Sequence, residues 1–195
     1  MTDALTSAAN WPAVLTWGAH SAPRMESVRI QIGGKKIKAS GRIIGADCDD
    51  HPAFSASYDL ITDEFGATRR LSLRALVAAG ERVLSVSRDT EGYWTIHEGN
   101  TSTRSRFSGA LDVDVILSPF FNALPIRRLD LHTEANDIQV PVVYVSLPDL
   151  KVREETLTYS SHPEGIHVFS PVASATVTVD SDGFLIDYPG LGQRI

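Results

Sequence analysis

The sequence predicts an all-β protein. Its core is a single large, mainly antiparallel sheet, coiled into a roll or barrel-like body, with at most one or two short helices. Three observations carry this reading. Apolar residues recur with a period of two along most of the chain. Fourteen glycines and ten prolines are spread over the 195 residues with no low-complexity linker, as one many-turned β domain spanning 1–195 requires. Finally, Ile138, Val140, Val142 and Tyr144 fill one face of a stretch whose other face holds Val143, Val145 and Leu147. Apolar character on both faces marks a central strand covered on both sides. A sheet that closes or rolls up supplies such a position, and so does a sandwich.

In chain order, residues 4–14 permit one short helix that stops near Pro12. Val28, Ile30 and Ile32 alternate with Arg29 and Gln31 before a Gly33-Gly34 turn, and residues 35–44 return. Phe54, Ala56, Tyr58 and Leu60 share one face of the next strand. Residues 72–80 are compatible with a helix, but the alternation of Leu71, Leu73 and Ala75 with Ser72 and Arg74 favours a strand. Residues 83–87 and 93–97 flank Asp89-Thr-Glu-Gly92, a hairpin turn. Gly99-Asn100 punctuates the next stretch. Pro119 and Pro125 bracket Phe120-Phe-Asn-Ala-Leu124 and predict a stiff, irregular crossing between two strands. Residues 176–180 and 184–188 flank a second hairpin turn with Gly183 at a positive φ.

Composition narrows the function classes. A net charge of −6 without a basic stripe argues against nucleic acid as a partner. The single cysteine, Cys48, lies among Asp47, Asp49 and Asp50, so it forms no internal disulfide and its thiolate is disfavoured. No apolar run reaches the roughly 18 residues of a membrane span, and the first ten residues lack a secretory signal. The expected location is cytoplasmic. No phosphate-binding glycine loop, no Gly-x-Ser-x-Gly elbow and no helical His-Glu-x-x-His motif occurs, and no cofactor or metal is expected. His162 and His167 flank a turn and are scattered like the other four histidines.

The chemistry-bearing candidates cluster late in the chain. Asp112 and Asp114 share a strand face about 7 Å apart. They form a solvated face, a glycosidase-type acid and base, or part of an oxygen-ligand metal site. Asn122 holds the bend between the prolines or contacts a ligand. By strand parity Arg127 joins the apolar face of Leu129 and Leu131. It therefore needs an internal partner, Asp112 or Asp114, or it meets an anionic or sugar head group. Trp94 and Tyr144 offer aromatic surface on which a sugar could stack, or they are core.

The order and spacing of Asp112-Val-Asp114, Pro119-Phe120, Asn122, Leu124-Pro-Ile-Arg-Arg-Leu129 and Tyr188-Pro-Gly-Leu191 resemble the bacterial family of "Putative glycolipid-binding" proteins. The likeness is dense from about Ser108 to Ile195 and looser before, where Trp17, Gly33-Gly34, Tyr58 and Thr68-Arg69 look similar to the family's opening. Phe65 or Gly66 stands where relatives usually carry tryptophan, Ala110 replaces a frequent cysteine, and Glu26 stands near an early glutamate without a fixed register. The resemblance implies a spiral β-roll and a lipid or glycolipid ligand, and it carries over no catalytic residue. Three readings are open. The first is a non-catalytic binding protein with its ligand in an apolar cavity inside the rolled sheet. The second is a self-filled structural or interaction protein. The third is an enzyme on a small or lipidic substrate using Asp112 and Asp114. Exposed edge strands also allow a homodimer.

Overall fold

A computed structural model describes residues 11–171 and 173–195. Its first eight strands are β1 (Ala13–Gly18), β2 (Arg24–Gly33), β3 (Lys36–Gly45), β4 (Phe54–Thr62), β5 (Thr68–Val77), β6 (Gly80–Arg88), β7 (Trp94–Glu98) and β8 (Thr101–Ser105). A short 3-10 turn, Phe107–Gly109, leads to β9 (Asp112–Val115) and the helix α1 (Pro119–Arg128). The chain ends with β10 (Asp137–Val145), β11 (Val152–His162), β12 (Gly165–Phe169), β13 (Ser174–Val179), β14 (Leu185–Tyr188) and β15 (Gly192–Arg194). All fifteen strands form one sheet, which curls without closing into a barrel. Of the helix expected over residues 4–14, residues 4–10 lie outside the described residues, and Ala13 and Val14 already belong to β1.

The sheet has two wings. One is the meander from β2 out to β8, and the other runs from β15 back through β10 to β9. The first and last strands join them, with Trp17 opposite Arg194 and Gly18 opposite Gln193. Gly192 is required at that seam, because a Cβ there would lie 2.7 Å from the Gly18 carbonyl oxygen. Every pairing is antiparallel except β9 with β10. A parallel pair needs a crossover, and α1 is that crossover. Curling brings the wings together: the Thr68 N–H donates to the Leu111 carbonyl at 2.8 Å, and the Trp94 indole N–H to the Ala110 carbonyl at 2.9 Å.

Three turns share one device. In Asp63-Glu-Phe-Gly66, Asp89-Thr-Glu-Gly92 and Asp180-Ser-Asp-Gly183 the aspartate Oδ1 accepts two backbone N–H bonds, and the glycine takes a positive φ near 80–90°. The other oxygen of each aspartate meets an arginine from a neighbouring strand: Arg88, Arg104 and Arg194 at 2.9, 2.9 and 2.7 Å. The turn expected between His162 and His167 is likewise observed, joining β11 to β12.

Residues 119–125 depart from expectation. The segment is not an irregular crossing but the start of a helix whose residues Pro119 to Ile126 are all buried. A helix buried all round is a core element. It traverses the interior of the roll, where neither water nor a strand edge can take its backbone groups, so internal helical bonds override the local bias of the prolines. Pro119 fits the first turn, where its missing N–H is not needed. Tyr58 of β4 packs 5.0 Å from the Phe121 ring and 5.9 Å from Phe120, while Phe184 stacks on Phe120 from the other wing. The apolar cavity expected inside the roll is therefore occupied by α1.

The helix also reassigns the arginines. With a period of 3.6 rather than two, it is Arg128 that turns to β9 and grips Asp112, Nη2 to Oδ2 at 2.6 Å and Nε to both oxygens. Arg127 packs its guanidinium over the Phe184 ring at 4.8 Å instead. Arg128→Met leaves the fully buried Asp112 carboxylate unpaired and should cost about 3 kcal/mol in urea unfolding. Arg127→Met removes a cation–π contact and should cost about 1 kcal/mol. The reverse ranking would contradict this pairing.

Candidate functional site

The N-terminus of α1 needs acceptors for its first N–H groups. Ser118, at the N-cap, does not cap it with its own side chain. Glu26 of β2 does so from across the roll. Its Oε2 accepts the Phe120 N–H at 3.3 Å, and its Oε1 accepts the Ser118 hydroxyl at 2.6 Å and the Tyr58 hydroxyl at 2.7 Å. A carboxylate at that end also opposes the helix dipole favourably. Burial still dominates and raises the Glu26 pKa to about 7 against the lowering effect of those bonds.

Beside this helix end opens a cavity of about 440 Å³. Loops at one end of the roll line it: β1–β2 with Ala22, followed by Arg24 at the start of β2, β3–β4 with His51, β9–α1 with Leu117 and Ser118, and β14–β15 with Gly190 and Leu191. Leu117 adopts φ 70°, which lets the chain turn sharply from β9 into α1. The backbone bond from Cys48 N–H to the His51 carbonyl holds the β3–β4 loop in place.

The polar lining is unusual. Asp114 and Tyr144 are register partners on adjacent strands and face the cavity together. Among the described residues, the Asp114 Oδ1 and the Tyr144 hydroxyl are buried without a hydrogen-bond partner, as is Nε2 of His51. Desolvation, then the neighbouring negative charge of Asp112, raises the Asp114 pKa to about 7. Burial and the Asp114 charge push the Tyr188 hydroxyl up to about 12 and raise Tyr144 as well, so both phenols remain donors. Asn122 also lines the cavity and accepts the Tyr159 hydroxyl at 3.2 Å through Oδ1. The site thus offers hydrogen-bond donors and acceptors around a space walled partly by apolar side chains.

Of the candidates named from sequence, Asp114, Asn122 and Tyr144 come together here. Asp112, Arg127 and Trp94 do not line the cavity. Asp112 and Asp114 do share a face, but β9 is buried on both faces, so that face is not solvated. Asp112 is held by Arg128, Arg127 sits near Gly183 at the other end of α1, and Trp94 is core, bonded to Ala110. The sequence reading assigned no site role to Glu26 or His51. Glu26 had a legible signal: it shares strand parity with Val28 and Ile30, the inward residues of β2.

A family model described as "Putative glycolipid-binding" matches residues 14–194. A crystal structure of a DUF1089 family protein from Pseudomonas aeruginosa superposes with a TM-score of 0.72 at 24% identity, over 99% of this chain and 100% of that one. The coiled sheet is common to both. No curated protein matches the sequence. Among the described residues no helix is long and apolar enough to cross a membrane, and no group of three or more His, Cys, Asp and Glu gathers as a metal site.

The raised carboxyls fix a pH dependence. Asp114 titrates at about 7 in the fold against 3.8 in an ordinary environment, and Glu26 at about 7 against 4.5. Between those values the folded state binds more protons than the unfolded one, so stability falls as pH rises from about 4 to 7. Urea unfolding across that range should show the decline, and Asp114→Asn should make it shallower. An unchanged slope would mean that Asp114 is not the buried acid described.

Proposed function

The chain belongs to the "Putative glycolipid-binding" family, and we propose that it is a non-catalytic binding protein that takes the sugar head group of a glycolipid into the 440 Å³ cavity. One observation carries this reading. The two stretches on which the family likeness rests most, residues 112–129 and 188–191, meet at the same cavity, and there Asp114 and Tyr144 present buried polar atoms that have no hydrogen-bond partner among the described residues. Each such atom costs about 1–3 kcal/mol, which ligand hydroxyls would offset. The volume falls in the usual range for small-molecule pockets, about 300–1,000 Å³. With α1 filling the roll, the head group rather than the lipid tail is the part enclosed.

One observation favours an enzyme instead: a carboxyl with its pKa raised to about 7 beside a cavity suits a general acid. The second carboxylate expected for that role, Asp112, is gripped by Arg128 and does not line the cavity. The binding reading therefore uses more of the site.

Asp114→Leu and Tyr144→Phe separate stability from function. Each removes a buried atom that the fold leaves unsatisfied, so thermal unfolding at pH 7 should show unchanged or higher stability, by about 1 kcal/mol. Native mass spectrometry with an added glycolipid extract should show at least tenfold weaker retention of bound lipid, equivalent to about 1.4 kcal/mol. Retention equal to the parent protein in both variants would remove the cavity from consideration as the ligand site.

A further inference from the structure

We infer that the site has a second half: the alkyl chain of the ligand leaves the cavity over the Ala22–Arg24 rim and lies in an apolar groove on the outer face of β2 and β3. This rests on the binding reading above. The groove is lined by Pro23, Met25, Ile44 and Ala46 and holds about 500 Å³. It shares Ala22 and Arg24 with the cavity, so the two spaces have a common border. Arg24 is fixed there by donating Nη2 to the Leu191 carbonyl at 3.0 Å.

The outer face should be polar, yet Met25 is 42% exposed and its cross-strand partner Ile44 is 49% exposed. The row continues through Ser55 to Leu76, 53% exposed, on β5. Scattered exposed apolar side chains need no explanation, but Met25, Ile44 and Leu76 lie in one row across four neighbouring strands that begins at a cavity rim, with only the small Ser55 between the last two. Three strand spacings make it about 14 Å long, the reach of a medium alkyl chain. The interior offers that chain no alternative, because Phe120, Phe121, Leu124 and Ile126 occupy it.

The test titrates ethyl, butyl, hexyl and octyl glucosides, below their micelle concentrations, into the whole protein by calorimetry. Half-burial of each added methylene should tighten binding about twofold, so octyl should exceed butyl by roughly tenfold or more. The exposed double variant Met25→Ser/Ile44→Ser should fold normally and lose that gain. A flat dependence on chain length, a gain that survives in the double variant, or no binding of any member would each overturn the groove. Self-association of the parent protein that this double variant abolishes, seen by sedimentation, would assign the strip to a second copy and overturn it too. Asp114→Leu keeps the two ideas apart. If it leaves affinity unchanged while the chain-length gain persists, the head-group cavity fails and the groove stands.

Discussion

A helix buried on every side inside a rolled sheet cannot send its first N–H groups to water, and Glu26 resolves this. The rest of the molecule is arranged around that contact. The carboxylate reaches from β2, takes the Phe120 N–H and the Ser118 hydroxyl, and binds the Tyr58 hydroxyl of β4. Tyr58 then lies flat enough to pack on both Phe120 and Phe121. Gly41 of β3 makes this possible, since a Cβ there would lie 2.2 Å from the Tyr58 Cζ. One buried acid thus fixes the depth of the helix, the position of an aromatic ring and the side chain permitted on the strand between them. The cost is a carboxyl whose pKa is driven up to about 7 by desolvation.

Filling the roll with a helix decides where a site can be. The interior is closed, so open space is left at the ends, where loops meet helix termini. At the N-terminal end of α1 the turn at Leu117 and the β14–β15 turn leave the 440 Å³ cavity. The two aspartates of β9 diverge accordingly. Asp112 lies opposite Val142, deep enough for the last turn of α1 to cover it with Arg128. Asp114 lies two residues nearer the end, opposite Tyr144, where the helix has not yet begun and a cavity stands in its place. Identical residues two positions apart, on one face of one strand, become a structural ion pair and a cavity acid.

Much of the fold was legible, because its strands obey local rules. The inward row Phe54, Ala56, Tyr58 and Leu60 reads directly from alternation, and the turns at 89–92 and 181–183 read from their glycines. The third turn of that kind, at Asp63, carries the same Asp-x-x-Gly spacing and was available on the same grounds. What local rules could not give was the helix. Two prolines within seven residues point away from it, and only the tertiary fact that the segment crosses the interior reverses that preference. The errors in the site stem from this one. Assigning period two to residues 127–131 made Arg127 rather than Arg128 the partner for Asp112 or Asp114, and those two acids were read on a face taken to be solvated.

The treatment of charge elsewhere gives the cavity its meaning. Asp63, Asp112 and Asp180 are each shielded from solvent, and each has an arginine: Arg88, Arg128 and Arg194. Each of these carboxylates thus has a cation beside it, which is the condition under which buried charge is tolerated. Asp114 is buried as well, yet among the described residues no cation pairs with it. Tyr144, its register partner, has a hydroxyl equally without a partner among the described residues. A chain that supplies arginines to Asp63, Asp112 and Asp180 has the means to pair this one. A leucine at 114 and a phenylalanine at 144 would remove both unbonded groups without disturbing the strand pairing, which depends on the backbone. Retaining two unsatisfied polar groups side by side, at a place where the roll leaves them room to meet something else, is a feature that stability alone does not explain and that the proposed polar ligand would.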